Sequence, residues 1–284
     1  LIAISLMGTV PMSVKGIAAN PWTIGIVRLL IASLCAALFL RGSRDLFRYR
    51  KDFGPLALIG GAFALHWITY FISLKTTDAS VAAIGTATYG VHVAFLGRIM
   101  LGQIPNRVQV ISIMIAIVGA VLVVGEYALD SDLTTGFLIG ILSAVLYAVV
   151  PILHQKNLHV PVNVRTLAQY LFALPLFLCF LPWANWDLKP LDWAGILHLS
   201  IVTTFIAHTL WIRATSELPT YMSGILFYLY VPIAMVLCHF VLGEQITPLR
   251  ISGAVLIVLA SVLGMWSQDK KKASGSNDNS TDAG

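Results

Sequence analysis

Apolar residues run along this chain in blocks of about twenty, each long enough to cross a hydrocarbon core about 30 Å thick at 1.5 Å of rise per residue. The breaks between blocks are short and polar; Arg41–Asp52, Glu126–Asp132 and Asp187–Asp192 carry charges that lipid does not accept. Bounded in this way, the pattern predicts ten helical spans near Leu1–Ala18, Pro21–Leu40, Phe53–Leu74, Ala79–Gly97, Val108–Gly125, Thr134–Leu153, Val162–Trp183, Asp192–Ile212, Tyr221–Leu242 and Leu249–Trp266. Leu1 lies inside the first apolar run with no basic stretch ahead of it, which is the pattern of a span and not of a signal peptide. Residues 268–284 are polar, with Lys270, Lys271 and Lys272 ahead of a Ser/Asn/Asp/Gly stretch, and read as a disordered cytoplasmic tail.

Composition agrees with the bilayer as solvent. Of the 284 residues 58% are hydrophobic and 11% charged, and the mean hydropathy is +0.84; soluble domains run at roughly 45–50% apolar and about 25% charged. The formal charge of +5 does not point to nucleic acid, because the basic residues sit in connectors and the tail with no aromatic-basic surface between them. Cys35, Cys179 and Cys238 each lie in an apolar run without a C-x-x-C spacing or a nearby His, so they read as packing residues. No metal or other cofactor is expected.

Charge orients the spans. Alternate connectors hold Arg41, Arg44, Arg48, Arg50 and Lys51, then Arg98 and Arg107, then Lys156 and Arg165, then Arg213 and the tail lysines; the opposite set holds Lys15, Lys75, Lys189 and Arg250 but most of the acids. The positive-inside rule puts the first set and both termini in the cytoplasm, in a cell (inner) membrane. Trp22, Trp183, Trp186, Trp193 and Trp266 lie near span ends, as interfacial anchors would.

Displacing the sequence by 141 positions lays the fourth and fifth spans over the ninth and tenth. Ile84 meets Ile225, Tyr89 meets Tyr230, Leu96 meets Leu237, and Leu101-Gly102-Gln103 meets Leu242-Gly243-Glu244. Five spans per half is an odd number, so the halves enter the membrane in opposite senses. The expected fold is an all-α integral membrane protein of ten transmembrane helices, two inverted five-helix repeats around a central cavity, a topology suited to alternating access.

The run Pro21 to Arg28 after a first span ending near Lys15, the junction from Ser73 to Ser80, and the Leu-Gly-(Gln/Glu) turn before a Gly-rich last span in each half resemble the EamA branch of the drug/metabolite transporter superfamily. The likeness divides the chain into repeats at 1–125 and 126–267, followed by the tail at 268–284. It implies a central cavity and substrates such as amino acids or related small metabolites, often moved outward; the expected assembly is a monomer or homodimer. Two departures stand in the first half: Gly90-Val91 where the second has Val231-Pro232, and Gln103 where the second has an acid.

Polar side chains inside spans are costly and therefore mark a cavity. Arg28 and Lys15 are the basic candidates, Arg28 with the neutral Gln169 as its repeat counterpart and Lys15 also able to snorkel to the outer interface. On the third span His66 and Tyr70 share a face beside Trp67; on the eighth, Thr204 and His208 precede Trp211, and the repeat sets Trp67 opposite His208 and Tyr70 opposite Trp211. Tyr89, His92 and Tyr228 extend the expected substrate site, and Tyr228 and Tyr230 point to different sides, so at most one faces it. Pro11, Pro151, Pro175 and Pro232 should bend their spans. None of the thirteen acids lies mid-span, so proton coupling falls to a histidine, and uniport or exchange stays open.

An enzyme is the first rival, but H-x-x-x-H, G-x-S-x-G and paired midplane carboxylates are missing from the sequence. A receptor would carry a sizeable soluble loop. The aromatic, acid-free chamber favours a neutral or zwitterionic metabolite; the runner-up is an organic anion or phosphorylated metabolite held by Lys15 and Arg28.

Overall fold

The computed structural model describes residues 1–124 and 131–278. Of the expected connector Glu126–Asp132 and the repeat boundary within it, residues 125–130 lie outside the described residues, as do 279–284 of the expected tail. Among the described residues the chain is all-helical, and ten main helices follow the ten apolar blocks. In order they are α1 (Ile2–Lys15), α2 (Pro21–Phe39), α3 (Phe53–Thr76), α4 (Ala79–Ala87 and Tyr89–Leu101), α5 (Arg107–Val124), α6 (Ser131–Lys156), α7 (Val162–Leu178), α8 (Pro190–Glu217), α9 (Thr220–Phe227 and Tyr230–Leu242) and α10 (Pro248–Asp278). The backbone of α10 continues past the boundary expected at 267.

Seven of these helices are long and apolar enough to cross a bilayer unaided, and α1, α5 and α7 are shorter apolar helices. The expected seventh span ran to Trp183; α7 instead stops at Leu178, and a 3-10 turn over Leu181–Trp183 carries the chain out. Large apolar side chains are exposed in stripes, such as Leu30, Leu34 and Leu38 on α2 and Ile111, Met114, Val118 and Val121 on α5. Lipid is the solvent those stripes require. Inward stripes at helical spacing make the core: on α3 it is Leu56, Ile59, Phe63, Trp67, Tyr70 and Leu74.

The architecture is duplicated, and the halves interlock. α3 packs on α6 and α7, and its counterpart α8 packs on α1 and α2; α2 meets α7, α4 meets α9, and α5 meets α10. The α4–α9 crossing is a backbone contact. A Cβ on Gly224 would stand 2.7 Å from the Gly90 carbonyl oxygen and 2.9 Å from its Cα, so both positions need glycine to let the helices touch.

Prolines explain only part of the bending. Pro11 and Pro232 follow breaks in α1 and α9, whereas Pro151 and Pro175 sit inside continuous helices. α4 breaks at Thr88 without a proline, at the position matching the break at Tyr228–Leu229 in α9. The change from Val231-Pro232 to Gly90-Val91 therefore leaves the shape of the repeat intact. In α8 the segment Leu199–His208 is wound as a π-helix, which the sequence pattern did not disclose.

The connectors sort into two ends. Those holding Arg41 to Lys51, Arg107, Lys156 and Arg213 gather at one end, tied by the Asp52–His159 contact at 2.9 Å and by Asn163, which donates to the Arg41 carbonyl and accepts from Arg213. At the other end Asp192 accepts from the amides of Ala18 and Lys189. We call these the basic and the acidic end.

Candidate functional site

α2 and α3 place a buried cation on an aromatic face. Arg28 is 1% exposed, and its guanidinium carbon lies 3.4 Å from the centre of the Trp67 ring. Its Nε donates to Thr204 Oγ1 at 2.5 Å, while Nη1 and Nη2 find no hydrogen-bond partner among the described residues. Desolvated cation–π contacts contribute about 2 kcal/mol, which offsets part of the cost of burying the charge. Thr204 belongs to the π-helical stretch, and its hydroxyl also reaches the Leu199 carbonyl five residues back. Wide winding of this kind recurs at functional positions.

His66 is held from α6. Ser143 Oγ donates to the His66 carbonyl at 2.9 Å, so the same oxygen accepts from His66 Nδ1 at 2.8 Å. That network assigns the proton to Nδ1. Tyr147, one turn further along α6, stacks on the His66 ring with centroids 4.3 Å apart.

The two aromatic clusters predicted on the third and eighth spans meet. Trp67 and His208 have ring centroids 5.5 Å apart, and Phe63 meets His208 edge-on at 5.2 Å. Phe227 joins Trp211 to Tyr89 and Tyr230, and the hydroxyls of Tyr70 and Tyr230 are hydrogen-bonded to each other. Toward the basic end lies a narrow cavity lined by Tyr147, His154, Gln169, His208, Trp211 and Ile212, with about 10 Å³ of free space. That holds about one water molecule. A cavity of that size admits no organic molecule.

Three expected site residues lie elsewhere. Tyr228 packs against Gly90 and the α5–α10 side of the bundle; the break beside it turns Tyr230 inward in its place. His92 is half-buried and makes none of these ring contacts among the described residues. Lys15 donates to the carbonyls of Leu74 at 3.2 Å and Thr77 at 2.7 Å, at the end of α3. Phe63, Tyr147, Tyr170 and Phe227 were not anticipated. The one signal for them was aromatic density near a polar residue, which fits core packing equally well.

The Lys15 contacts have a counterpart. Gln155 donates to the carbonyls of Thr215 at 2.7 Å and Leu218 at 2.8 Å, the residues that the 141-position repeat matches to Leu74 and Thr77. The turn residues complete each set. Glu244 accepts from the amide of Ala79, the first residue of α4, at 3.1 Å, and Gln103 accepts from the amide of Thr220, the first residue of α9, at 2.6 Å. Each half thus caps a helix start in the other half. An acceptor oxygen suffices for that task, so the amide at 103 serves where the second half has an acid. Gln103 also donates to Gln155 at 2.7 Å. The acidic-end latch contains a lysine and a glutamate; the basic-end latch is built from two neutral amides.

Among the described residues, no group of three metal-ligating side chains gathers anywhere. Interlocked, duplicated halves with a buried polar and aromatic cluster between them describe a multi-pass membrane protein. The model of the EamA-like transporter family matches residues 1–125 and 134–266, and the chain belongs to that family, within the drug/metabolite transporter superfamily. It is 25% identical over 266 residues to an uncharacterised transporter of Archaeoglobus fulgidus, covering 92% of each chain. It is 22% identical over 254 residues to the uncharacterised transporter YyaM of Bacillus subtilis, covering 84% of this chain and 80% of the relative. A crystal structure superimposes with a TM-score of 0.78 at 18% identity, covering 95% of this chain and 96% of the other, which establishes the fold alone.

Proposed function

We propose that the chain carries a small organic metabolite across the membrane by alternating access, with the Arg28–Trp67–His208–Trp211 cluster as its central binding site. The observation that carries this reading is the pair of matched latches, Lys15 with Glu244 at one end and Gln155 with Gln103 at the other. Two equivalent closures on either side of one buried site are what a carrier needs to open one end at a time. Five helices per half set the repeats in opposite senses, which supports an inverted duplication about a midplane site. The gathering of Lys and Arg at one end supports a cytoplasmic location for that end, and for both termini, in a cell membrane. The proposed site draws on one chain, which supports a monomer as the carrying unit and is compatible with a homodimer.

Amino-acid export, the expectation from the family likeness, is one member of this substrate class. Counterflow in proteoliposomes across amino acids, organic anions and quaternary amines tests the proposal. Saturable exchange of at least one class is expected, and its loss in the Trp67→Ala and His208→Ala proteins locates it here. If none of the three classes exchanges in folded, reconstituted protein, the carrier reading is wrong.

A further inference from the structure

Of six buried polar atoms in the cluster that have no partner among the described residues, four can only donate. Arg28 Nη1 and Nη2 and the indole N–H groups of Trp67 and Trp211 can only donate, and all four atoms are buried without a partner among the described residues. His208 Nε2 and Tyr147 Oη are unpartnered as well and can serve in either sense. No carboxylate pairs with Arg28 among the described residues; the ion pairs Arg48–Asp45 and His159–Asp52 both lie at the basic end. The buried guanidinium therefore has an aromatic face and one threonine hydroxyl, and no counter-charge.

Its geometry selects what would complete it. With Nε engaged by Thr204, the free edge is the Nη1/Nη2 pair, which offers two parallel N–H bonds to a planar oxyanion. His208 stands between the cavity, which its ring lines, and Trp67, on which Arg28 stacks. His208 Nε2 holds no hydrogen bond to another described side chain, so the imidazole can move aside without breaking one. Lys15, the other basic side chain within α1 and α2, is engaged with the end of α3.

We infer that the substrate of this site carries a carboxylate, bound end-on by the Nη1/Nη2 edge of Arg28, and that the site prefers a net organic anion to a zwitterion, a neutral amide or a cation. The inference rests on the carrier reading above. An ammonium group would meet the same positive charge with no acid to receive it, and an amide offers one strong acceptor in place of two.

Four probes of matched shape separate these cases: 3-phenylpropionate, phenylalanine, 3-phenylpropanamide and phenethylamine, titrated calorimetrically into the detergent-solubilised protein and then used in proteoliposome counterflow. The carboxylate should bind roughly ten- to a hundredfold more tightly than the zwitterion or the amide, the range of charge-assisted hydrogen bonds, and the amine should not saturate. Arg28→Gln should remove that preference and Arg28→Lys should retain part of it. The ligand series in the unaltered protein needs no variant, so a misfolded Arg28→Gln does not blunt the test. Equal or tighter binding of the amide or the amine overturns the carboxylate assignment, and equal or tighter binding of phenylalanine overturns the preference for a net anion; either result leaves a carrier in place. No binding and no counterflow by any probe overturns the assignment, and failure of the broader substrate screen besides would remove the carrier reading.

Discussion

If the latches govern opening, cutting one should release its own end and no other. Gln155→Leu removes two amide-to-carbonyl bonds, at 2.7 and 2.8 Å, and orphans the Gln103 amide. Each bond contributes about 0.5–1.5 kcal/mol net, so the closed state should lose about 2 kcal/mol relative to a state open at the basic end. That is roughly a thirtyfold shift in the ratio of the two. Ile212 reports the opening: it lines the cavity, lies between the latch and Trp211, and is 3% exposed. In a background with Cys35, Cys179 and Cys238 replaced by Ala, Ile212→Cys should react slowly with a hydrophilic maleimide in micelles. Gln155→Leu should accelerate that reaction about thirtyfold, whereas Lys15→Met, which frees the acidic end, should not. Circular dichroism and a thermal scan show whether each protein is folded. Equal acceleration by both variants, or none by Gln155→Leu in folded protein, would refute latch control of access.

Other perturbations read the site and the scaffold separately. Thr204→Val removes the acceptor for Arg28 Nε and should cost about 1.5–3 kcal/mol in stability, read as a lower melting temperature; no change would mean that Trp67 alone holds the guanidinium. Ser143→Ala removes the hydroxyl contacts to His66 Nδ1 and to the His66 carbonyl but keeps the backbone carbonyl of residue 143, 3.0 Å from Nδ1, so a loss of about 1 kcal/mol is expected as a lower melting temperature. Gly224→Ala should destabilise the α4–α9 crossing by about 1–3 kcal/mol through overpacking, because its Cβ would meet the Gly90 backbone. Gly61→Ala, with nothing within 4 Å of the new Cβ, should instead be neutral or stabilise α3 by up to about 1 kcal/mol. Similar melting temperatures for the two glycine variants would refute the close approach.

Much of the scaffold could be read from local pattern. Hydropathy and charge are properties of ten to twenty consecutive residues, so they disclosed the bilayer, the ten helices and their approximate ends. The Leu-Gly-polar turns were also visible: Gly102 and Gly243 end α4 and α9 in the left-handed region, at φ of 66° and 72°, and each turn residue reaches across to the other half. The repeat offset then matched Trp67 to His208, two rings that touch.

What the sequence could not specify is which polar residue meets which. In a soluble helix the polar face marks the outside, but here the lipid-facing and core-facing sides are both apolar, so periodicity does not set rotation. Depth was equally hidden: Lys15 looked like a cavity residue because it sits in an apolar run, yet folding brings it level with the carbonyls that end α3. The breaks at Thr88 and Tyr228–Leu229 and the π-wound stretch of α8 re-aim whole segments, exchanging Tyr228 for Tyr230 and setting Thr204 against Arg28. Local chemistry thus determined the solvent, the helices and the duplication. The partners of Arg28, and with them the character of the site, were decided by helix rotation and register, which exist only once the halves have packed together.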